Sequence, residues 1–262
     1  MASRPVVLVT GAARRIGRAI ALELAGHGFD VAVHYRRSAD TAGQTVAELQ
    51  ALGASADAFA ADLSVEAECR ALLPAVVARF GRIDAVVNNA STFAYDDAAS
   101  FGHAAMELHW RANTAPAVLL AQALHAHRTG TPSDDRASAC VVNIVDQKLW
   151  NPNPDYFSYT LSKAALDAAT TLLAMAMAPA VRVCGVAPGV TLTSGELDAA
   201  ALAQVARAMP LQRSSTPEDI ARAVRFLIES PAITGTTLLV DGGQHLARQP
   251  RDVAFLAAVP KP

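Results

Sequence analysis

Residues 5–17, PVVLVTGAARRIG, join an apolar run to a glycine-bearing turn and then to an amphipathic segment. The run before the turn is typical of a buried strand, and the segment from Ile16 to His27 has helical spacing. Gly11 is placed to make the tight turn, and Gly17 allows the following helix to pack close to the sheet. The N-terminus of such a helix favours an anion, because its first N–H groups have no partner within the helix.

The same alternation of strand and helix continues along the chain. The predicted strands are Pro5 to Thr10, Asp30 to Tyr35, Ala85 to Asn88, Cys140 to Val145, Val181 to Val186 and Thr237 to Val240. The clearest predicted helices are Ile16 to His27, Ala39 to Leu52, Val65 to Phe80 and Tyr156 to Met177. Because the strand runs are nearly all apolar, both faces of the sheet must be covered. The pattern therefore predicts a Rossmann-like α/β fold, a doubly wound parallel sheet of about seven strands flanked by helices on both faces.

Composition and charge restrict the class of protein. The 262 residues are 52% hydrophobic and no linker-like stretch divides them, which predicts one domain over 1–262 with 244–262 as a C-terminal tail. A formal net charge of −2, with both signs interspersed, offers no basic stripe to nucleic acid or to a membrane. We expect a cytoplasmic protein, since no apolar run is long enough to cross a bilayer. The three cysteines are widely spaced, which predicts buried thiols in a reducing compartment.

The end of the second predicted strand indicates the cofactor. An NAD-binding chain normally presents a carboxylate there to the ribose 2′-hydroxyl, and this chain has His34-Tyr35-Arg36-Arg37-Ser38 instead. Two guanidinium groups and a hydroxyl suit a 2′-phosphate, so the segment predicts NADP(H). The alternative is that these arginines, like those of the preceding glycine turn, are solvated surface residues.

Tyr159 and Lys163 are four residues apart, so on a helix their side chains lie on one face. A phenol has an ordinary pKa of about 10, and an adjacent ammonium group favours its ionised form. The pair is therefore predicted to exchange a proton as a hydride moves, with Lys163 also donating to the ribose hydroxyls of a nicotinamide. The spacing alone is common by chance, so the interpretation depends on the motifs around it.

Several further motifs stand in the order of one family. NNA at 88–90 follows one predicted strand, PG at 188–189 follows another, and DGG at 241–243 closes the last. Together with the first turn, Asp62-Leu63 and the Tyr159/Lys163 pair, they resemble the short-chain dehydrogenase/reductase family over nearly the whole chain. Asparagines and Pro-Gly pairs commonly end strands, so the specificity lies in the ordered set.

The resemblance implies an oxidoreductase with a nicotinamide cofactor and suggests roles for individual residues. It implies that Asp62 contacts the adenine, that the backbone of Val190 holds the carboxamide, and that Asn113 keeps a water in a proton relay. The implied cofactor-binding residues are Gly11, Arg15, Ile16, Gly17, His34, Tyr35, Arg36, Arg37, Ser38, Asp62, Leu63, Asn89, Ala90, Ser91, Tyr159, Lys163, Pro188, Gly189, Val190 and Thr191. The predicted catalytic residues are Asp146, Tyr159, Lys163 and Asn113.

The chain departs from the wider family at residue 146. Most members have a serine thirteen residues before the tyrosine, where it hydrogen-bonds a substrate carbonyl, and this chain has Asp146. An ionised carboxylate would repel a carbonyl oxygen. Reduction of a C=N bond instead requires a proton at nitrogen, which a carboxyl group beside Tyr159 can supply. The alternative is an acid that merely ends a strand or caps a helix.

An aspartate at this position is typical of the pteridine reductases, which the chain resembles at further places. TGAARRIG has Arg15 where most dinucleotide loops have glycine, HYRRS is similar to their 2′-phosphate segment, and NNASTF adds Ser91 and Phe93. The resemblance implies that Phe93 stacks on a pterin, although a packed loop anchor is the alternative. It also implies that Thr191 touches cofactor phosphate and pterin. The implied substrate-binding residues are Arg15, Ser91, Phe93, Asp146 and Tyr159.

Three functions stay open on these grounds. The first is NADPH-dependent reduction of a pteridine, a dihydropterin C=N bond, and the second is reduction of a ketone or 3-oxoacyl compound. The third is an NADP-binding sensor or scaffold without turnover, against which the intact Tyr159/Lys163 pair argues. No metal site is expected, since His125 and His127 lack a cluster of ligand spacing. The family resemblance implies a homo-oligomer, a dimer or tetramer, formed through the helix that carries Met175 and Met177.

Overall fold

A parallel sheet forms the centre of the protein. The computed structural model describes residues 4–130, 139–193 and 199–256, and in that part of the chain the sheet has seven strands. They are β1 (Val6–Val9), β2 (Asp30–Tyr35), β3 (Ala56–Ala60), β4 (Ala85–Asn88), β5 (Ala139–Ile144), β6 (Val181–Pro188) and β7 (Thr237–Val240). Their order across the sheet is β3-β2-β1-β4-β5-β6-β7, and every pairing is parallel. This topology confirms the predicted doubly wound fold.

Helices cover both faces of the sheet. They are α1 (Arg15–Gly26), α2 (Ala39–Ala51), α3 (Glu66–Phe80), α4 (His103–His109), α5 (Ala115–Gly130), α6 (Phe157–Met177), α7 (Ala199–Ala208), α8 (Pro217–Glu229) and α9 (Val253–Leu256). One core cluster packs α1, α2 and α8 against one face, and a second packs α3, α5 and α6 against the other. Val7 and Val9 of β1 belong to the first cluster, Val6 and Leu8 to the second, as strand alternation requires. Within the described residues, no helix has both the length and the apolar character needed to span a membrane.

β3 is the strand that the apolar runs did not predict. Its five residues include Asp57 and have Phe59 as their one large apolar side chain. β3 lies at an edge of the sheet and pairs only with β2, so most of its side chains are partly exposed. An apolar run indicates a strand covered on both faces, and an edge strand therefore escapes that pattern.

The turn between β1 and α1 lies where the strand order reverses, between β1 and β4. Gly11 has a φ of +63°, in the left-handed region that favours glycine. A Cβ atom on Gly17 would stand 2.2 Å from the Gly11 carbonyl oxygen, so a larger residue would push α1 away from the turn. In sheets of this kind a crevice opens outside the carboxyl ends of the strands at this point. The fold therefore places the candidate site here.

The predicted tail folds back over the same end of the sheet. Its residues 244–256 are described, with a 3-10 turn at Gln244–Leu246 and α9 at Val253–Leu256, and residues 257–262 lie outside the described part. Asn151, after β5, donates from Nδ2 to the Ala247 carbonyl at 2.8 Å. The segment is therefore packed against the loop that follows β5.

Candidate active site

Two adjoining cavities open at the carboxyl ends of the strands. The larger has a volume of about 470 Å³ and lies between the β1 to α1 turn and the end of β2. The smaller, of about 250 Å³, lies over the end of β5 and the start of α6. Four residues line both: Arg15, Ile16, Asn89 and Ser91. An elongated ligand that passes these residues reaches from one cavity into the other.

The predicted cofactor-binding residues all line these two cavities. The larger is lined by Gly11, Arg15, Ile16, Gly17, His34, Tyr35, Arg36, Arg37, Ser38, Asp62, Leu63, Asn89, Ala90 and Ser91. The smaller is lined by Tyr159, Lys163, Pro188, Gly189, Val190 and Thr191, among others. It also contains the predicted substrate-binding residues Arg15, Ser91, Phe93 and Asp146. The fold thus brings together residues from the ends of six strands, β1 to β6.

The end of β2 presents positive charge to the larger cavity. Arg36 and Arg37 are exposed there. Asp62 lies on the facing wall, where a hydrogen bond from the Ser64 hydroxyl at 2.6 Å lowers the pKa of its carboxyl, with smaller contributions from the two guanidinium groups. Asp30 stands at the opposite end of β2 and accepts a hydrogen bond from the Ser55 N–H at 2.8 Å. That carboxylate therefore does not reach the cavity.

His34 holds the turn in place. Its Nδ1 accepts a hydrogen bond from the Gly11 N–H at 3.0 Å, and its Nε2 lies 3.0 Å from the Ala61 carbonyl oxygen. The ring is therefore the neutral tautomer with its proton on Nε2. Burial lowers the pKa of His34, which favours that form. Both ring nitrogens bind the protein backbone, so the side chain positions the turn. His34 also lines the larger cavity, and its contact with the cofactor stays a prediction.

Arg15 occupies the conformation that glycine has in most such loops. Its φ is +55°, in the left-handed region, and its guanidinium donates to the Thr193 carbonyl at 3.1 Å from both terminal nitrogens. The exposed side chain thereby bridges the mouth of the two cavities. A cation at this position can face either a pyrophosphate or a substrate.

Tyr159 and Asp146 meet at the floor of the smaller cavity. The helical spacing of α6 places Tyr159 and Lys163 on one face, and β5 ends just before Asp146. The Tyr159 hydroxyl donates to Asp146 Oδ2 at 2.8 Å, while Asp146 Oδ1 accepts the Lys148 N–H at 2.9 Å. The ammonium group of Lys163 donates to the Ile144 carbonyl at 2.7 Å. Asp146 therefore does cap a short 3-10 turn, and its other oxygen faces the phenol.

The three groups have shifted pKa values. Removal from bulk water raises the pKa of Asp146 above its ordinary value of 3.8, although its hydrogen bonds and Lys163 oppose the shift. Burial, reinforced by the negative charge of Asp146, raises the pKa of Tyr159 well above 10.0. Burial also lowers the pKa of Lys163 to about 8. The shift of Tyr159 is opposite to the direction predicted from its spacing to Lys163, because desolvation and the carboxylate outweigh the ammonium group.

Asn113 lies in a π-helical turn, Trp110–Thr114, behind the smaller cavity. Its Oδ1 accepts the Thr92 N–H at 2.7 Å and the Ser91 hydroxyl at 3.2 Å. Its Nδ2 donates to the Thr92 carbonyl and to the Ser162 hydroxyl, both at 3.0 Å. The side-chain amide thus ties the loop after β4 to α6. The role of Asn113 in a water relay stays a prediction.

An aromatic wall closes one side of the smaller cavity. The rings of Phe93 and Tyr156 stack with centroids 3.9 Å apart, and the edge of Tyr159 meets Phe93 at 4.7 Å. Phe93 is nevertheless 49% exposed, so part of its ring is free to contact a ligand. Flat aromatic faces of this kind suit a planar heterocycle.

Sequence reasoning missed the contribution of the C-terminal segment. Gln244 is buried and its Oε1 accepts the Val190 N–H at 2.9 Å, the group predicted to hold a carboxamide. Asp252, Val253 and Ala254 also line the smaller cavity. The position of Gln244 directly after the DGG motif was the one signal in the sequence.

Comparison with known proteins identifies the family. The profile of a family described as enoyl-(acyl carrier protein) reductase matches residues 11–245, which include the lining of the larger cavity, most of the lining of the smaller one and the Tyr159/Lys163 pair. The chain belongs to the short-chain dehydrogenase/reductase family. Members of this family are oxidoreductases that use NAD(P)H, and the predicted resemblance, enzyme class and type of cofactor are thereby confirmed.

Relatives within the short-chain dehydrogenase/reductase family include enzymes described as acting on pteridines or dihydrofolate and enzymes described as acting on 3-oxoacyl compounds. A solved structure from Brucella canis, described as FolM alternative dihydrofolate reductase 1 complexed with NADP, is 40% identical, with a TM-score of 0.88. That alignment covers 96% of this chain and 98% of the Brucella chain. Pteridine reductase 1 of Leishmania tarentolae is 34% identical, over 93% of this chain and 97% of the relative. The 3-oxoacyl-[acyl-carrier-protein] reductase of Synechocystis is 33% identical, over 91% and 96% respectively.

Proposed function

We propose that this protein is an NADPH-dependent reductase of a pteridine C=N bond. The observation that carries the proposal is the 2.8 Å hydrogen bond between Tyr159 and Asp146, which puts a carboxyl group where most of the family is expected to have serine. Similarity to pteridine reductase 1 and to the alternative dihydrofolate reductase supports the same substrate class.

The larger cavity suits the adenosine half of NADP. Its volume of about 470 Å³, the N-terminus of α1 and the exposed Arg36 and Arg37 fit an anionic dinucleotide that carries a 2′-phosphate. The Brucella relative was crystallised with NADP, which supports this assignment. When bound, NADPH supplies the hydride, and Tyr159 and Lys163 line the cavity on the nicotinamide side.

The smaller cavity suits a compact, flat and polar substrate. Phe93 offers part of an aromatic face, and Arg15 offers donors beside it. The volume of about 250 Å³ must also admit the nicotinamide end of the cofactor, which Tyr159 and Lys163 would border, so the space left for a substrate is compact. A pteridine ring combines a planar face with hydrogen-bonding edges, and it matches this lining in shape and in chemistry.

The protein groups supply the proton that the reduction requires. A hydride adds to the carbon of the C=N bond, and the nitrogen takes a proton. The double bond thereby becomes a CH–NH single bond. The raised pKa of Asp146 lets its carboxyl hold such a proton nearer to neutral pH. The Tyr159 hydroxyl, with its own pKa raised, orients that carboxyl. After the proton leaves, the Lys163 ammonium group stabilises the carboxylate.

The direct test is NADPH oxidation by the purified protein with dihydrobiopterin and dihydromonapterin. We expect turnover with at least one of them. Turnover is followed as the loss of NADPH absorbance, and the product should be the tetrahydropterin. Asp146→Ser should lose most pterin turnover. If Asp146→Ser preserves pterin turnover and carbonyl compounds outpace every pterin, the proposal is wrong.

The second candidate is a carbonyl reductase. The Tyr159/Lys163 pair and the similarity to the 3-oxoacyl reductase of Synechocystis favour it. A 3-oxoacyl thioester tested beside the pterins separates the two, since the partly enclosed carboxyl of Asp146 disfavours an approaching carbonyl oxygen unless it is protonated.

We also propose a homo-oligomer that forms through α6. Leu172 and Met175 are 65% and 76% exposed on this helix, whereas Met177 is buried in the core, against the prediction that both methionines face a partner. Light scattering after size-exclusion chromatography tests this proposal, and a monomer contradicts it.

We propose a cytoplasmic location as well, because Cys69, Cys140 and Cys184 are free and buried, as is typical of a reducing compartment.

A further inference from the structure

The C-terminal segment, residues 244–256, has no part in the proposed chemistry and yet forms one wall of the smaller cavity. Asp252, Val253 and Ala254 lie on that wall. A terminal segment packs in a fixed place only where specific contacts hold it, since ordering its backbone costs about 1–2 kcal/mol per residue. The contacts that order this segment therefore help to shape the cavity.

A bidentate ion pair anchors the segment to the loop after β5. Asp155 is 2% exposed, and its two oxygens accept Arg251 Nε at 2.8 Å and a terminal nitrogen of Arg251 at 2.7 Å. Asp155 Oδ2 also accepts the Asp252 N–H at 2.7 Å. The guanidinium group holds the pKa of the Asp155 carboxyl below its ordinary value. Paired geometry of this type is the strongest that arginine and a carboxylate make.

Lys148 joins the anchor to the cavity wall. Its ammonium group is buried, donates to the Asp155 carbonyl at 2.5 Å and lies 3.3 Å from Asp252 Oδ2. Both Lys148 and Asp252 line the smaller cavity. Displacing the segment would leave the buried ammonium group of Lys148 without the carboxylate of Asp252, which costs free energy. This pair therefore also holds the segment in place.

The segment also supports the aromatic wall. Phe255 packs on Tyr156, with ring centroids 6.2 Å apart and an interplanar angle of 25°. Tyr156 in turn stacks on Phe93, the residue that the proposed substrate contacts. A shift of Phe255 would therefore move Tyr156 and, through it, the ring of Phe93.

We propose that Asp155 and Arg251 are positioning residues that set the size limit of the substrate, by holding residues 251–255 as a wall that admits a compact heterocycle and excludes bulky substituents. The proposal rests on the proposed reductase activity. Neither residue touches the reacting atoms, so loss of the pair is expected to alter selectivity and KM more than kcat with the compact substrate.

The test compares two substrates with the same ring system and different substituents. Dihydrobiopterin carries a short side chain, and dihydrofolate carries the much larger p-aminobenzoylglutamate. For Arg251→Ala and Asp155→Asn we expect the ratio of kcat/KM, dihydrobiopterin over dihydrofolate, to fall about tenfold, with the Kd of NADPH changed less than about twofold. The double variant should fall no further than either single variant, because the two residues act through one contact.

The matched control is Arg248→Ala, which removes an exposed arginine from the same segment. It should leave the ratio unchanged. Asp252→Asn is a milder second variant, because it keeps the backbone bond to Asp155 while weakening the pair with Lys148. It should lower the ratio in the same direction, which keeps the proposal testable if the other variants fold poorly.

An unchanged ratio in Arg251→Ala and Asp252→Asn would overturn the inference, as would a parallel loss on both substrates together with weaker NADPH binding. If the wild type reduces no pterin and no folate, the proposed function fails and the inference is tested separately. Short and long 3-oxoacyl thioesters then replace the two pteridines, and the same fall in the ratio of short to long is expected.

Discussion

The Tyr159 hydroxyl lies 2.8 Å from Asp146 Oδ2, and this bond joins the first turn of α6 to the end of β5. Helical spacing brings Lys163 to Tyr159, but only the packing of α6 on the sheet brings the carboxyl group to the phenol. Burial of the pair raises the pKa of both groups, so both favour their protonated forms. The predicted properties of the protein follow from this pairing and from the turn that faces it.

Tyr159→Phe removes the hydroxyl that orients Asp146. We expect kcat with a dihydropterin to fall by up to roughly 10²–10⁴-fold, the usual contribution of a positioned proton-transfer group, because the Asp146 carboxyl that transfers the proton loses the bond that positions it. The Kd of NADPH, measured by fluorescence titration, should change little, because the ring is kept. Retention of more than half of the wild-type kcat would show that this hydroxyl is dispensable.

Asp146→Asn should change how stability depends on pH. Because the pKa of Asp146 is raised in the folded protein, its contribution to stability is fully present below its ordinary pKa of 3.8 and is lost as pH rises through the raised value. The asparagine variant does not titrate there, so its stability relative to wild type should increase as pH rises. Urea unfolding across this pH range measures the difference, and a difference that does not vary with pH contradicts the shift.

Lys163 should set the alkaline limit of activity. Its pKa is lowered to about 8, so the ammonium group that stabilises the Asp146 carboxylate is lost above that pH. We expect kcat/KM to decline with a midpoint near 8, while the thermal unfolding temperature shows that the protein is still folded. A rate that stays level up to the ordinary lysine pKa of 10.5 argues against this assignment.

Arg37→Asp should reverse the charge that faces the 2′-phosphate. We expect the ratio of kcat/KM for NADPH over NADH to fall at least about tenfold, since charge-assisted contacts contribute roughly 1.5–3 kcal/mol each. Arg70→Asp, which makes the same charge change on the exposed surface of α3, is the control and should leave the ratio unaltered. An unchanged preference in Arg37→Asp would contradict the assignment of NADP.

Gly17→Ala should destabilise the protein, because the new Cβ would stand 2.2 Å from the Gly11 carbonyl oxygen. We expect a loss of about 1–3 kcal/mol in the free energy of unfolding, with weaker NADPH binding as the turn shifts. Gly43→Ala in α2 is the control, since its Cβ would meet no atom within 4 Å. That variant should gain about 0.5–1 kcal/mol by urea denaturation. Equal effects of the two substitutions would refute the close packing at Gly17.

Local patterns in the chain encode the architecture and the pairing of Tyr159 with Lys163. Apolar runs, helical spacing and the two glycines of the first turn involve only neighbouring residues, so they can be recognised in the sequence alone. The half-exposed β3 escaped because an edge strand needs no apolar run on both faces.

Tertiary structure alone decided what lies around those motifs. Folding made the His34 ring a support for the Gly11 turn, and burial beside Asp146 raised the pKa of Tyr159, whereas the spacing to Lys163 predicted a lower pKa. It also paired Arg251 with Asp155, 96 positions earlier in the chain. The predicted tail therefore forms one wall of the smaller cavity. Desolvation and long-range ion pairs depend on which distant residues meet, and no local pattern contains that information.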